Sequence, residues 1–501
     1  MVKNIVLLIL MTMTIKIISF IKEGIFANYL GTGIMSDSYL LGIMLSQIIL
    51  AGIAENSFKA YLPLATEKML KSEQEYQVYT NNILIFGGIS FFLICIFFSY
   101  LSNSIIPIFA GKNNNEIIMT SISISKIATL FSIGLYIINI CQGYLQIQGK
   151  FWSNLFYPLL MNMCTIYYLI TFSITRDGLA ISYSLGIIFP ALILLVVCRI
   201  YGLKFFLKNF EIKELKRFFL LSSSLFIGGI VPQLNEIIDK FFSLSYSYGV
   251  MTALRYGKLL EIVIVSIIGI SIAQVVYPNI AKLISQNKIK DLEKLLSNIL
   301  NILFIIILPI QVCGILLARD IIEILFMRGK FDETSLQLTT VSYLCYSLSI
   351  LPVCISEVLI RCYISLNVAK QVILFSSFAM GFNIILNYIG VNLLEIDYYI
   401  LPLTTSFSEI IVCIFYYTGL KSKKIRLELN KKLIKTAIGS TIILFSILYY
   451  SKMLKIEKIN LYLLVFLKLS LGLIMYLIIL GIFNFEFVKK IIRKEKKGND
   501  F

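Results

Sequence analysis

Several charged residues of this chain stand inside stretches that otherwise read as lipid-facing. Lys16, Lys22 and Glu23 interrupt the first apolar segment, and Asp37, Glu55 and Lys59 the second. Farther on, Glu236, Asp239 and Lys240 precede Arg255, Lys258 and Glu261. A charge at bilayer depth costs at least about 2.5–3.5 kcal/mol, so it is kept where it faces a partner or a water-filled cavity. Ammonium groups in two separate helix pairs can compensate an anion that leaves water. The pattern predicts an internal polar chamber, which suits transport of a charged solute.

Groups for covalent chemistry are sparse. The chain has no histidine, which removes His-based metal sites and Cys–His or Ser–His catalysis. Nine cysteines are scattered without CxxC spacing and read as small buried hydrophobes. No DxD metal motif and no polar stretch long enough for a catalytic domain are present, so an enzyme is not expected.

The elements that must position these charges are membrane helices. Of 501 residues, 58% are hydrophobic and only 15% charged, against about 45–50% and about 25% in soluble domains. The mean hydropathy is +0.86. A span needs about 20 mostly apolar residues. About fourteen such stretches lie near 5–28, 36–60, 80–108, 118–146, 151–173, 178–202, 216–246, 252–283, 293–318, 334–363, 369–394, 398–420, 432–453 and 460–484. Their long continuous runs read as helices, because barrel strands would alternate. The first has no clear small-x-small cleavage site and is read as a retained helix.

The net charge of +17 follows from topology rather than nucleic-acid binding. Basic residues cluster at Lys68 and Lys71, at 199–217, at 282–294, at 421–432 and in the tail at 489–497. Alternate loops such as 29–35, 247–251 and 395–399 carry no Lys or Arg. Loops 319–333 and 452–458 run against this trend. The bias places both termini in the cytoplasm.

An internal repeat is legible. Asp37 and Tyr39 precede Tyr61-Leu62-Pro63, and Arg255 and Tyr256 precede Tyr277-Pro278, at an offset of about 215 residues. Six spans per repeat give two parallel halves, with a midplane site as the default location for substrate. The fold class is therefore an all-α polytopic membrane protein: two six-helix bundles, residues 1–210 and 211–425, then two further helices and a basic tail over 426–501.

Three groups of residues carry a resemblance. The segment from Phe20 through Lys22-Glu23, Gly31, Gly33, Asp37 and Tyr39, followed by Ala54-Glu55 and Pro63, resembles the opening of the MurJ/MviN lipid II flippases. Leu325-Phe326-Met327-Arg328-Gly329-Lys330-Phe331-Asp332 resembles that family's loop between helices nine and ten, and Arg361-Cys362-Tyr363 fits as well. The likeness spans the whole chain. The family belongs to the multidrug/oligosaccharidyl-lipid/polysaccharide exporter superfamily.

The resemblance implies a V-shaped pair of bundles in the bacterial cytoplasmic membrane. It also implies a cationic cavity for the diphosphate of an undecaprenyl-linked saccharide, and a groove for the lipid tail along the last two helices. A monomer is expected. By position, the family's cavity arginines fall on Lys16, Lys22 and Lys258, its acids on Asp37 and Glu261, and its helix-two arginine near Leu50 or Ala51. One cation is thus missing and three are lysine, which grips phosphate as a point charge rather than a fork. The substrate is then lipid II or a related polyprenyl-diphosphate sugar. A sodium site in some members maps to Asp239, Asn383, Asn387 and Thr404, with less charge than the family pattern, and the membrane potential is the other candidate for coupling. The alternatives are an O-antigen or capsule-type oligosaccharide flippase and a cation-coupled multidrug exporter of the same superfamily.

Local readings compete at several positions. Lys16 and Lys22 can snorkel. Lys258 and Glu261 are spaced for a local ion pair, as are Glu55 and Lys59. Asp37 stands where a helix-capping acid is favourable. Asn383 and Asn387 share a helix face suited to packing by hydrogen bonds.

Overall fold

The computed structural model describes residues 2–110, 115–204, 212–228, 230–428 and 430–453, with single positions between 467 and 476. The described residues are helical, with no strand among them. In chain order the helices are α1 (Val2–Leu30), α2 (Ile34–Lys71), α3 (Glu73–Phe109), α4 (Asn115–Ile147), α5 (Ser153–Thr171) and α6 (Arg176–Ile200). Then come α7 (Ile212–Gly228), α8 (Ile230–Ser243), α9 (Val250–Ser285), α10 (Ile289–Leu316) and α11 (Ala318–Phe326). The series ends with α12 (Glu333–Ser347), α13 (Ile350–Ser365), α14 (Ala369–Leu393), α15 (Ile400–Ser422) and α16 (Lys431–Met453).

Eight of these are long and apolar enough to cross a membrane, and nine if the α12–α13 pair is one span bent by 46°. Each expected stretch up to 453 coincides with a helix or a helix pair. The last, 460–484, and the basic tail at 489–497 lie outside the described residues, apart from single positions. All nine cysteines are free thiols and most are buried.

The chain forms two compact units, Met1–Thr252 with Arg328–Asp332, and Ala253–Met327 with Glu333–Phe501. In the first, α7 packs along α2, so this unit extends past the repeat boundary read at 210. The helix α6 shows why the elements read so plainly as apolar. Its residues Ile181, Leu185, Phe189, Leu192 and Val196 form an exposed stripe at helical spacing, while Tyr183, Ile187, Ala191 and Leu194 are buried on the other face. A helix apolar on both faces suits lipid outside and protein inside.

With lipid as solvent, close backbone approach and hydrogen bonds hold helices together. A Cβ on Gly143 of α4 would stand 2.6 Å from the Tyr61 ring of α2. The Tyr61 hydroxyl is 2.7 Å from Thr80 Oγ1 of α3. In the second unit, Leu292, Leu296, Leu300, Leu303 and Ile307 line the inner face of α10 among Val358, Leu359 and Tyr363 of α13. Tyr363 donates to the carbonyl of Tyr416 on α15 at 2.9 Å. The two helices that carry the sequence repeat share a further trait. Both α2 and α9 pass through a six-residue π-helical stretch, Leu45–Leu50 and Val265–Ile270.

Candidate functional site

In the first unit, the expected residues fall on three helices. Lys16 on α1 is exposed. Lys22, one and a half turns later, is mostly buried and pairs with Glu23 at 2.7 Å. Glu55 and Lys59 on α2 pair at 2.8 Å and are both exposed, as their spacing suggested. Asp239 on α8 is half-buried.

Asp37 is fully buried, and its role differs from a cap of its own helix. Ser36 serves the start of α2, accepting from Gly33 N–H at 2.9 Å. The Asp37 carboxylate instead reaches the start of α9. It accepts from Gly249 N–H at 2.6 Å, Thr252 N–H at 3.0 Å and the Thr252 hydroxyl at 2.6 Å. The first turn of a helix leaves N–H groups unpaired and carries partial positive charge, so a buried carboxylate is well placed there. Gly249 has φ +88, and a Cβ on it would lie 3.0 Å from the backbone of Thr32. The segment Arg328–Asp332 adds to the same region: Lys330 N–H donates to the Asn28 carbonyl at 2.8 Å.

In the second unit, Lys258 and Glu261 stand one turn apart on α9, and the bend between α12 and α13 brings a group to each. The Lys258 ammonium lies 5.1 Å from the centre of the Tyr346 ring. Ser349 donates its hydroxyl to Glu261 Oε1 at 2.7 Å, and Glu261 Oε2 is buried without a hydrogen-bond partner. Glu357 and Arg361 pair along α13 at 3.5 Å. Glu409 of α15 lies within the electrostatic reach of Lys258, Glu261 and Glu357. Tyr346, Ser349, Thr252 and Gly249 were not singled out from sequence. Only Pro352 marked the bend, since a proline removes the N–H that would bond the carbonyl four residues earlier.

Three of the four expected sodium ligands lie side by side and are buried. Asn387 donates to Asn383 Oδ1 at 3.1 Å. Asn383 donates toward Thr405 at 3.4 Å and Thr404 at 3.5 Å. Thr404 donates to Asn387 Oδ1. In this arrangement each of the three oxygens accepts a neighbouring proton, and the trio ties α14 to α15 by hydrogen bonds. Among the described residues, no group of three or more His, Cys, Asp or Glu is placed to hold a metal ion.

The model of the lipid II flippase MurJ family matches residues 26–472. The chain belongs to the MurJ lipid II flippase family. Family members similar to it include the "probable lipid II flippase MurJ" of Buchnera aphidicola subsp. Acyrthosiphon pisum, 24% identical over 75% of this chain and 76% of that protein. The Aquifex aeolicus counterpart is 22% identical over 81% of each. Among solved structures, a lipid II flippase MurJ in an inward closed conformation superposes with a TM-score of 0.82 at 20% identity, covering 96% of this chain and 100% of that one. An inward-facing multidrug resistance MATE transporter of the MOP superfamily gives 0.66 at 13% identity, over 82% and 94%. The MurJ family fold thus extends along nearly the whole chain, which is a multi-pass membrane protein and a transporter rather than an enzyme.

Proposed function

We propose that this protein moves a polyprenyl-diphosphate-linked saccharide, lipid II or a related cell-wall precursor, across the bacterial cytoplasmic membrane by alternating access. It works as a monomer with both termini in the cytoplasm. The reading rests on a MurJ family chain that carries cations within its apolar helices, Lys16 and Lys22 on α1 and Lys258 on α9. A diphosphate that leaves water needs positive charge to offset its lost hydration. Lysine supplies that charge with less geometric demand than arginine, so the saccharide and the tail carry more of the selection. Lys22 and Lys258 have the more sheltered settings; Lys16 is exposed and acts as an outer guide for the headgroup.

The test is turnover of fluorescent lipid II in vesicles holding the purified protein, together with rescue of a strain depleted of its own flippase. Lys22→Ala and Lys258→Ala should each lower turnover at least about tenfold, as loss of a charge-assisted contact does, while the protein still inserts. Full activity in both variants would overturn the reading. A cation-coupled exporter is a second reading, favoured by the carboxylates Glu261 and Glu357 that lie within electrostatic reach of Glu409 in the second unit. Uptake of a lipophilic cation by the same vesicles, with no lipid II movement, would select it.

A further inference from the structure

A break inside a helix recurs in both units, each time at a buried serine. In α4 the regular bonding lapses at Ser132, whose N–H donates to the carbonyl three residues back, Thr129, at 3.2 Å. In the α12–α13 pair the Ser349 N–H does the same to Tyr346 at 3.1 Å. A tightened turn of this kind within a long helix often marks a hinge. Each serine hydroxyl also bonds back to the preceding turn, Ser132 to the Ala128 carbonyl at 2.8 Å and Ser349 to the Tyr346 carbonyl at 2.7 Å. Such back-bonding bends helices. The two serines stand apart by the offset of about 215 residues at which the sequence repeats.

Each break is tied to the helix that carries the π-helical stretch of the same unit. Ser132 Oγ lies 2.6 Å from Ser46 Oγ, inside the Leu45–Leu50 stretch of α2, and Ser46 Oγ lies 3.1 Å from the Tyr183 hydroxyl of α6. Ser349 donates to Glu261 at 2.7 Å, one turn before the Val265–Ile270 stretch of α9. Upstream, a glycine brings the paired helices into close contact. A Cβ on Gly42 of α2 would lie 2.7 Å from Ile124 Cβ and 3.0 Å from the Ser121 carbonyl oxygen of α4. A Cβ on Gly257 of α9 would lie 2.8 Å from Ser342 Cβ and from Tyr343 N of α12. These glycines share the same offset.

We infer that each unit contains its own hinge: α4 flexes at Ser132 and the α12–α13 pair at Ser349, each pivoting on its glycine contact and held by a hydroxyl catch on the π-bearing helix. The inference rests on the alternating-access reading and names the two points at which these helices bend during the cycle. The wider π turn lets α2 and α9 follow the bend while their backbone groups stay bonded, which a lipid surround demands. The hinges differ in one respect. Pro352 cannot donate to the carbonyl four residues earlier, and its helix pair is bent by 46°. No proline occurs in α4, so its break depends on the serine.

The experiment follows hydrogen exchange at the two breaks in the purified full chain in detergent, beside turnover of fluorescent lipid II in vesicles. Ser46→Ala removes one side of the first catch and should speed exchange several-fold over 129–135 while 346–353 exchange as in the parent. Ser349→Ala should do the reverse, and Ser349→Thr, which keeps the hydroxyl, should match the parent. Pro352→Ala restores the missing donor. It should slow exchange at its break and lower turnover several-fold, with undecaprenyl diphosphate bound as tightly as by the parent, a split that a merely structural role would not give. Parent-like exchange in Ser46→Ala and Ser349→Ala, or full turnover by a slowly exchanging Pro352→Ala, would overturn the inference. A parent that moves no lipid II, while exchange follows the expected pattern, would instead overturn the transport reading and leave the hinges standing. Should Ser349→Ala fail to fold, Ser349→Cys, similar in volume but a weaker donor, decides: faster exchange at its break supports the inference and parent-like exchange rejects it.

Discussion

Asp37 accepts three hydrogen bonds from the start of a helix that begins far along the chain. Replacement by Ala leaves two buried N–H groups and a hydroxyl without their acceptor, at a cost of about 1–3 kcal/mol. Asp37→Asn keeps one acceptor oxygen and should cost less, and Thr252→Val, which removes the hydroxyl but keeps the N–H, less again. Thermal unfolding midpoints in detergent should rank Asp37→Ala below Asp37→Asn below Thr252→Val. Equal midpoints for all three would mean that the carboxylate does not support α9. The sequence marked Asp37 as an acid at a helix start, and that much was legible. Its partner was not, because nothing in the local pattern ties it to Gly249 and Thr252. The same holds for Lys258 and Glu261: their mutual spacing was visible, whereas Tyr346 and Ser349 belong to another helix pair. Asn383 and Asn387 fared better, since the i,i+4 spacing alone predicts their contact, now seen at 3.1 Å.

At the scale of elements, apolar length located the helices up to 453 but not their irregularities. The π-helical stretches at Leu45–Leu50 and Val265–Ile270 contain ordinary apolar and small residues, and no local rule announces an extra residue in a turn. The break between α12 and α13 did have a cause in the sequence, Pro352, masked by the continuous apolar run around it. The segment Arg328–Asp332 shows how backbone geometry fixes a connection. Gly31 and Gly329 have φ of +61 and +56, and a Cβ on either would stand 2.3 Å from a carbonyl oxygen, Lys330 O and Asn28 O respectively. Both positions thus demand glycine twice over, for the left-handed backbone and for the space. Gly329→Ala should lower stability by at least about 1 kcal/mol, because the Asn28–Lys330 backbone pairing must open to admit the methyl. Gly149, with φ +79 and nothing near its added carbon, is the control: Gly149→Ala carries the backbone strain alone. Hydrogen exchange at Lys330 should accelerate in Gly329→Ala and not in Gly149→Ala. Unchanged exchange in both would mean that the pairing tolerates the added carbon.

For the whole molecule, the question is what drives net movement of an anionic lipid. Under the proposed function, the lysines on α1 and α9 would give the transporter positive charge to carry back after the headgroup leaves. An inside-negative potential favours that inward return, at up to about 2.3 kcal/mol per charge per 100 mV. Lys22 is paired with Glu23 and Glu261 stands near Lys258, so the charge that moves is smaller than the lysine count. Asn383, Asn387 and Thr404 are hydrogen-bonded to one another, and the proposed cycle runs on the potential rather than on a sodium gradient. Turnover in vesicles should therefore slow several-fold when valinomycin and potassium collapse the potential, and slow further when it is reversed. Exchanging sodium for an impermeant cation at constant potential should leave the rate unchanged. Lys258→Gln should flatten the voltage dependence along with lowering the rate, because it removes charge from the returning state and not merely a contact. A rate indifferent to potential but proportional to the sodium gradient would place the driving ion at the α14–α15 pair after all. It would also require that amide network to rearrange in a state that the present arrangement does not display.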